Sequence, residues 1–331
     1  MGLYFANAID DLVVDALAGF CRAHGQMVKW EEHDGYVRAL RSAPSRRVGL
    51  VSGGGSGHEP LHIGYVGTGM LDAACPGRIF ASPHNRQIFE ASRAVAREDG
   101  VLHLVKNYTG DKINFGIAAE RLAREGIPCA RVLIDDDVAS DSEEVATGRR
   151  GTGATVLVEK ILGAAADSGM GLADLAALGT DVVSRCRSLA VASAAHTSPA
   201  TGRPAFDLPA GDIEYGVGIH GERARRTLVE RPLRKLASDM VGTLADTLGV
   251  GAGTPVFVLV NGLGAVTRME LYAVLNEVVP ALDDRGAVTE RTMVGDFVTA
   301  LDMRGFSLTL MVADEATLAY YDAPARTPAW C

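Results

Sequence analysis

No apolar run in the chain approaches the roughly 20 residues that span a bilayer, and the opening MGLYFANAIDDLVVDALAGF carries acids where a secretory signal needs a basic start. A cytosolic chain with no membrane partner is expected. Positive charge is also short: 32 Lys and Arg stand against 41 Asp and Glu, a formal net charge of -9. That balance excludes nucleic acid as the main partner, because phosphate-backbone binding needs a basic surface. The five cysteines (Cys21, Cys75, Cys129, Cys186 and Cys331) are odd in number and never spaced C-x-x-C. Neither a disulfide framework nor a thiolate metal site is indicated, and reduced, mostly buried thiols are expected.

Nearly half of the 331 residues (47%) are apolar, enough to bury a substantial core. Val, Ile and Leu cluster in RVGLVS, VLHLVKN, ARVLIDD, SLAVASA, IEYGVGI, TPVFVLVN and FSLTLMVAD. Amphipathic stretches such as RQIFEASRAVARE, FGIAAERLAREG and PLRKLASDMVGTLADTLG lie between them. This alternation predicts an α/β fold of two α/β domains with mixed, largely parallel sheets. The stretch from Thr152 to about Cys186 reads as two helices broken around Ser168–Gly171. The aperiodic, Pro- and Gly-rich HTSPATGRPAFDLPAGD places a domain boundary near 196–212, giving domains over 1–195 and 196–331.

VSGGGSGHEPLH, residues 51–62, follows a strand and has the glycine density of a loop that lets a ligand approach the backbone. It lacks the Gly-Lys-Ser/Thr ending of a Walker A loop, the third glycine of a dinucleotide fingerprint and the spacing of a nucleophile elbow. His58-Glu59-Pro60-Leu61-His62 matches H-E-x-x-H, but a zinc peptidase needs those residues inside one continuous helix. Pro60 forbids that, so no metal is assigned. GGGSGH then reads as an anchor in which backbone amides and a helix N-terminus face a small oxygen-rich ligand, or as a tight strand-to-helix corner capped by His58.

Three further spots stand out. KNYTGD, residues 106–111, ends a strand in polar groups, where ligands of open α/β sheets bind; its bland reading is a helix cap. The acids of IDDDVAS, residues 134–140, are expected to cap a loop rather than hold Mg²⁺, since adjacent residues rarely point the same way. EYGVGIHGE, residues 214–222, sets His220 among Gly216, Gly218 and Gly221. A core histidine wants neighbours to pack against, so this one reads as cleared for chemistry.

LVSGGGSGHEP, GMLDAACPG, KNYTGD, IDDDVA, GRRGTGATVLVEK, YGVGIHGE, VNGLGA and LDMRGFSLTL occur in this order. The set resembles the substrate-binding subunit of dihydroxyacetone kinases, the DhaK-type family with its DhaK/DegV-like fold, from about Asp10 to Trp330. The resemblance implies that His220 bonds covalently to the carbonyl carbon of a short keto-sugar as a hemiaminal. It implies that Gly55, Ser56, Gly57, His58, Lys106 and Asp111 bind the substrate, with His58 and Asp111 as candidates for the base. Mg-ATP or Mg-ADP is expected on a separate nucleotide-binding helical (DhaL-type) subunit, recharged in some cases by a phosphotransferase-system protein, and the chain is expected to form a homodimer. Two positions depart from the family pattern, His84 and His196. Both are expected at the surface; if either lines the pocket, the implied substrate becomes another triose or tetrose such as glyceraldehyde or erythrulose. A carbonyl-sugar sensor or co-activator that phosphorylates nothing is the rival reading.

Overall fold

The computed structural model describes residues 4–141, 148–223 and 226–330. In chain order the elements are α1 (Leu12–Ala23), β1 (Val28–Glu31), β2 (Tyr36–Ala39), β3 (Gly49–Ser56), β4 (Ala73–Ile79), α2 (Asn85–Val95), β5 (Val101–Lys106), α3 (Thr109–Arg124) and β6 (Cys129–Ile134). Then follow α4 (Ala154–Asp167), α5 (Leu172–Ser184), β7 (Cys186–Ala194), β8 (Asp212–Tyr215), β9 (Arg226–Val229) and α6 (Leu233–Leu248). The last are β10 (Pro255–Gly262), α7 (Arg268–Asp283), β11 (Val288–Gly295), β12 (Arg304–Val312) and α8 (Glu315–Asp322).

These elements form two compact units. One, here the N-terminal unit, comprises Tyr4–Ile134, Thr155–Asp181 and Ala316–Cys331; the other, the C-terminal unit, comprises Asp135–Ala154 and Val182–Glu315. The units interleave along the chain, which differs from the consecutive domains expected from the sequence. The aperiodic stretch near 196–212 is no linker: it leaves β7 and returns as β8, which pairs antiparallel with β7 through Val191 and Tyr215. Its lack of periodicity reflects an irregular excursion from one sheet.

The N-terminal unit holds a sheet in the order β1-β2-β4-β3-β5-β6. Strands β4, β3, β5 and β6 run parallel, and the β1-β2 hairpin adds antiparallel on the β4 side. Central strands β3 and β5 are buried along their whole length, which is why both read as unbroken runs rather than alternating ones. Val51, Val105, Ile88, Phe115 and Leu122 lie in the core between this sheet and its helices.

In the C-terminal unit the order is β11-β10-β12-β7-β8-β9. Only β10 and β11 pair parallel among the described strands of this sheet; β10-β12, β12-β7, β7-β8 and β8-β9 are antiparallel. Both sheets are thus mixed, but the expected parallel majority holds for the first alone. Val256, Val258 and Val260 of β10 and Leu308 and Leu310 of β12 pack there against Leu244 of α6 and Val278 of α7.

Candidate active site

The glycines of VSGGGSGH lie within β3 and at its end rather than in a loop that opens a helix. Only a three-residue 3₁₀ turn, Ile63–Tyr65, follows, so the expected helix N-terminus is not there. Close packing explains the glycines. A Cβ on Gly55 would stand 2.6 Å from the backbone nitrogen of Ala81 and 2.7 Å from Cα of Phe80. A Cβ on Gly54 would fall on Nζ of Lys106 and 3.2 Å from Nε2 of His62.

Beyond the strand, Ser56 Oγ donates to the Gly77 carbonyl at 2.7 Å, and the Gly57 amide donates to both carboxylate oxygens of Glu59 at 3.1 and 3.0 Å. His58 is 0% exposed, and its ring stacks on Phe80 with centroids 4.8 Å apart. Phe80 holds a left-handed φ of 54°, which costs a non-glycine residue about 1 kcal/mol. The Phe80 amide donates to the Ser56 carbonyl at 3.0 Å. This corner brings the aromatic face under His58, a support that the sequence did not reveal.

Lys106 ends β5 at 1% exposure, and Asp111 sits in the first turn of α3 at 3%. Burial pulls the Lys106 pKa below its usual value, opposed first by the charge of Asp111 and then by that of Glu159. Asp111 Oδ1 is buried and has no hydrogen-bond donor among the described residues. A buried carboxylate oxygen without a donor is expensive, and a ligand hydroxyl there would offset that cost. The N-terminal unit therefore brings Gly55, Ser56, Gly57, His58, Lys106 and Asp111 to the carboxyl ends of β3 and β5, where open α/β sheets bind ligands.

His220 lies in the C-terminal unit, on the turn after β8. The Gly221 amide donates to the Gly218 carbonyl at 3.0 Å, and the Gly218 amide to the Glu222 carbonyl at 2.8 Å. Glu222 then turns back on the histidine. Oε2 accepts the His220 amide at 3.0 Å and Oε1 accepts from Nδ1 at 3.0 Å. Burial alone would raise the Glu222 pKa, but the hydrogen bond and charge of His220, with Arg150, hold it at about 2. An ionised carboxylate only accepts, so Nδ1 donates to it, and whenever the ring is neutral the lone pair stands on Nε2. Arg150 backs this arrangement, 3.8 Å from Glu222 and 2.6 Å from Asp137.

The glycines around His220 are explained by these supports. A Cβ on Gly218 would fall on the Glu222 carboxylate and the Arg150 guanidinium, and one on Gly221 would sit 2.7 Å from Cε1 of His196. Gly221 also takes a φ of +84°, which favours glycine. His196 is 4% exposed, contrary to the surface position expected for it, and burial depresses its pKa. His84 does lie at the surface: its Nδ1 accepts the Arg86 amide at 3.1 Å and caps α2.

The acids of IDDDVAS point three ways. Asp135 takes Arg149, Asp137 takes Arg150, and Asp136 accepts the amides of Thr152 and Ala154 at 2.7 and 2.9 Å. Among the described residues no group of three or more His, Cys, Asp or Glu is placed to hold a metal ion. The HEPLH stretch is a turn, with His58 stacked on Phe80 and His62 bonded to Glu159. Glu159, Phe80, Arg150 and the role of Glu222 escaped sequence reasoning. The signal for Glu159 was there, an acid followed by Lys160 inside the otherwise apolar TVLVEKILGAAA.

The structure is similar to that of the dihydroxyacetone kinase of C. freundii, with a TM-score of 0.91 and 33% identity, covering 100% of this chain and 60% of that one. It is similar to the dihydroxyacetone kinase operon co-activator DhaQ at a TM-score of 0.90 and 32% identity, covering 96% and 97%. A DegV family protein from Corynebacterium glutamicum shares the fold at a TM-score of 0.53 and 15% identity, covering 81% of this chain and 99% of that one. In sequence, the chain is 42% identical to the dihydroxyacetone-binding subunit DhaK of the PTS-dependent dihydroxyacetone kinase 1 of Listeria innocua, over 98% of both chains. It is 40% identical to the DhaK subunit of the PEP-dependent kinase of Escherichia coli, over 98% of this chain and 97% of that one. Identity to the triokinase/FMN cyclase of Rattus norvegicus is also 40%, but this chain spans 57% of that protein. The Dak1 domain model matches residues 18–329, and the chain belongs to the Dak1 domain family.

Proposed function

We propose that this chain is the dihydroxyacetone-binding subunit of a kinase, holding the ketose on His220 while a partner protein supplies the phosphoryl group. The observation that carries this reading is the Glu222 carboxylate on Nδ1 of His220, 3.0 Å away, which in the neutral ring leaves the lone pair on Nε2. Neutral imidazole with that lone pair attacks ketones and has nothing to attack in a polyol. As the Nε2–C bond forms, the carbonyl π pair moves to oxygen. That oxygen gains a proton and Nδ1 gives one up, so the sum is addition of the ring N–H across C=O. A covalent hold separates dihydroxyacetone from glycerol, which hydrogen bonds alone would discriminate poorly.

In this reading Lys106 and the backbone of Gly55, Ser56 and Gly57 contact the sugar. Asp111 Oδ1 accepts the hydroxyl that becomes phosphorylated, and His58 or Asp111 takes its proton. Both side chains are buried and fixed, one by Phe80 and the other by the first turn of α3. Phosphoryl transfer depends mainly on such positioning and on charge neutralisation. Mg-ATP or Mg-ADP belongs on the nucleotide-binding partner. A phosphotransferase relay as donor is supported by the words "PTS-dependent" and "PEP-dependent" in the names of the Listeria innocua and Escherichia coli relatives. A cytoplasmic homodimer completes the proposal; among the described residues no helix is long and apolar enough to cross a membrane.

A second reading, a carbonyl-sugar co-activator without catalysis, is favoured by the likeness to DhaQ. Mixing the chain with nucleotide-binding subunits, Mg-ATP or the phosphotransferase donor, and dihydroxyacetone separates the two. Sugar phosphate formation is expected. An intact ketose adduct with no sugar phosphate from any partner supports the co-activator instead.

A further inference from the structure

Resting on the reading of Lys106 as a substrate contact, we propose that His62 and Glu159 are positioning residues that hold the Lys106 side chain for the ketose. The three groups come from the turn after β3, from α4 and from the end of β5, all in the N-terminal unit, and all three are buried. Lys106 Nζ lies 2.7 Å from His62 Nε2, and His62 Nδ1 lies 2.6 Å from Glu159 Oε1. Ser52 Oγ is 3.0 Å from the same Nδ1 and donates its own proton to the Leu104 carbonyl at 2.9 Å.

Proton accounting fixes the arrangement. Lys106 Nζ as an ammonium carries donors only, so His62 Nε2 accepts and the proton of a neutral ring stands on Nδ1, facing Glu159 Oε1. Lys106 thus donates one N–H to Nε2. The ring is neutral, in keeping with a His62 pKa pushed well below its usual value, first by burial and then by the Lys106 charge. An ammonium has three donors, and this contact uses one of them. A lysine side chain is otherwise rich in rotamers, and pinning one N–H removes that freedom before the ligand arrives. Gly54 belongs to the same device, because any side chain there would displace Nζ.

The test compares His62→Gln, whose amide keeps one acceptor and one donor, with His62→Leu, which keeps neither. Calorimetric binding of dihydroxyacetone to the full-length chain is the first readout, and steady-state turnover with the partner is the second. Leu at 62 is expected to weaken binding and raise KM by about tenfold or more, with kcat changed less. Gln is expected to stay within about threefold of the wild type, since one charge-assisted hydrogen bond accounts for a loss of this size. A folded His62→Leu chain that binds as the wild type does, or a Gln variant as impaired as the Leu variant, overturns the proposal. Should wild-type chain itself fail to bind dihydroxyacetone, the kinase reading fails instead. Histidine ¹⁵N NMR of the unliganded wild type needs no folded variant: a neutral Nδ1–H tautomer of His62 is expected from about pH 6 to 8. An imidazolium or an Nε2–H tautomer there would contradict the arrangement.

Discussion

A neutral histidine acts as a nucleophile only when a group holds its other nitrogen as the donor. For His220, the proposed nucleophile, that group is Glu222, two residues on, held in turn by Arg150. Glu222→Ala removes the acceptor that selects the Nδ1–H tautomer and is expected to weaken ketose binding by about tenfold or more, the usual cost of losing the group that orients such a ring. Isothermal titration against dihydroxyacetone checks this, and unchanged affinity would remove Glu222 from the account. At this scale the motif G-I-H-G-E singled out His220 in the sequence, but not the Glu222 contact on its ring, because that hydrogen bond depends on a turn only the folded backbone defines. His62 shows the converse. Its motif suggested zinc, whereas Pro60 ruled out the helix a zinc site needs, and the partner that matters, Glu159, lies 97 residues away in the sequence.

Among the elements, β3 is packed most closely against the proposed substrate contacts. Its glycines let the Phe80–Ala81 corner and the Lys106 side chain come up against the strand. Gly55→Ala would press a methyl into backbone rather than into a movable side-chain end, and a loss of about 1–3 kcal/mol in stability is expected. Thermal melts of the variant chain measure it; a melting temperature equal to that of the wild type would show that the corner yields. Runs such as VLHLVK and TPVFVLVN announced β5 and β10 because buried central strands are apolar throughout. By contrast AACPGRI, the parallel neighbour of β3, contains Pro and Gly that argue against a strand. Pairing with β2 and β3 overrides that local preference.

Across the whole molecule, apolar alternation gave the α/β class, while interleaving of the two units could not be read from it. Periodicity is local, and the return of Thr155–Asp181 and Ala316–Cys331 to the N-terminal unit is decided by long-range packing. Stability against acid belongs to this scale as well. His103 is fully buried, with Nε2 2.8 Å from Ser92 Oγ and its ring against Phe115, and burial, followed by the charge of Arg131, pushes its pKa to about 3. The folded pKa is depressed, so the unfolded chain binds the proton first. The stability contributed by neutral His103 is complete above about pH 6.5 and is lost as pH falls toward 3. His103→Asn is expected to flatten the acid limb of unfolding free energy by up to about 1.4 kcal/mol per pH unit in that window. Urea melts at stepped pH check it, and parallel limbs for the two chains would refute it.

The most direct measurement on the proposed bond at His220 is ¹³C NMR of dihydroxyacetone labelled at its carbonyl carbon, mixed with wild-type chain and with the His220→Ala variant. With the wild type, the carbonyl resonance is expected to give way to a tetrahedral carbon bound to protein; with the variant, it is expected to persist. A tetrahedral adduct on His220→Ala, or full sugar-phosphate turnover by a wild-type chain that never forms one, would contradict the covalent hold on which the proposed function rests.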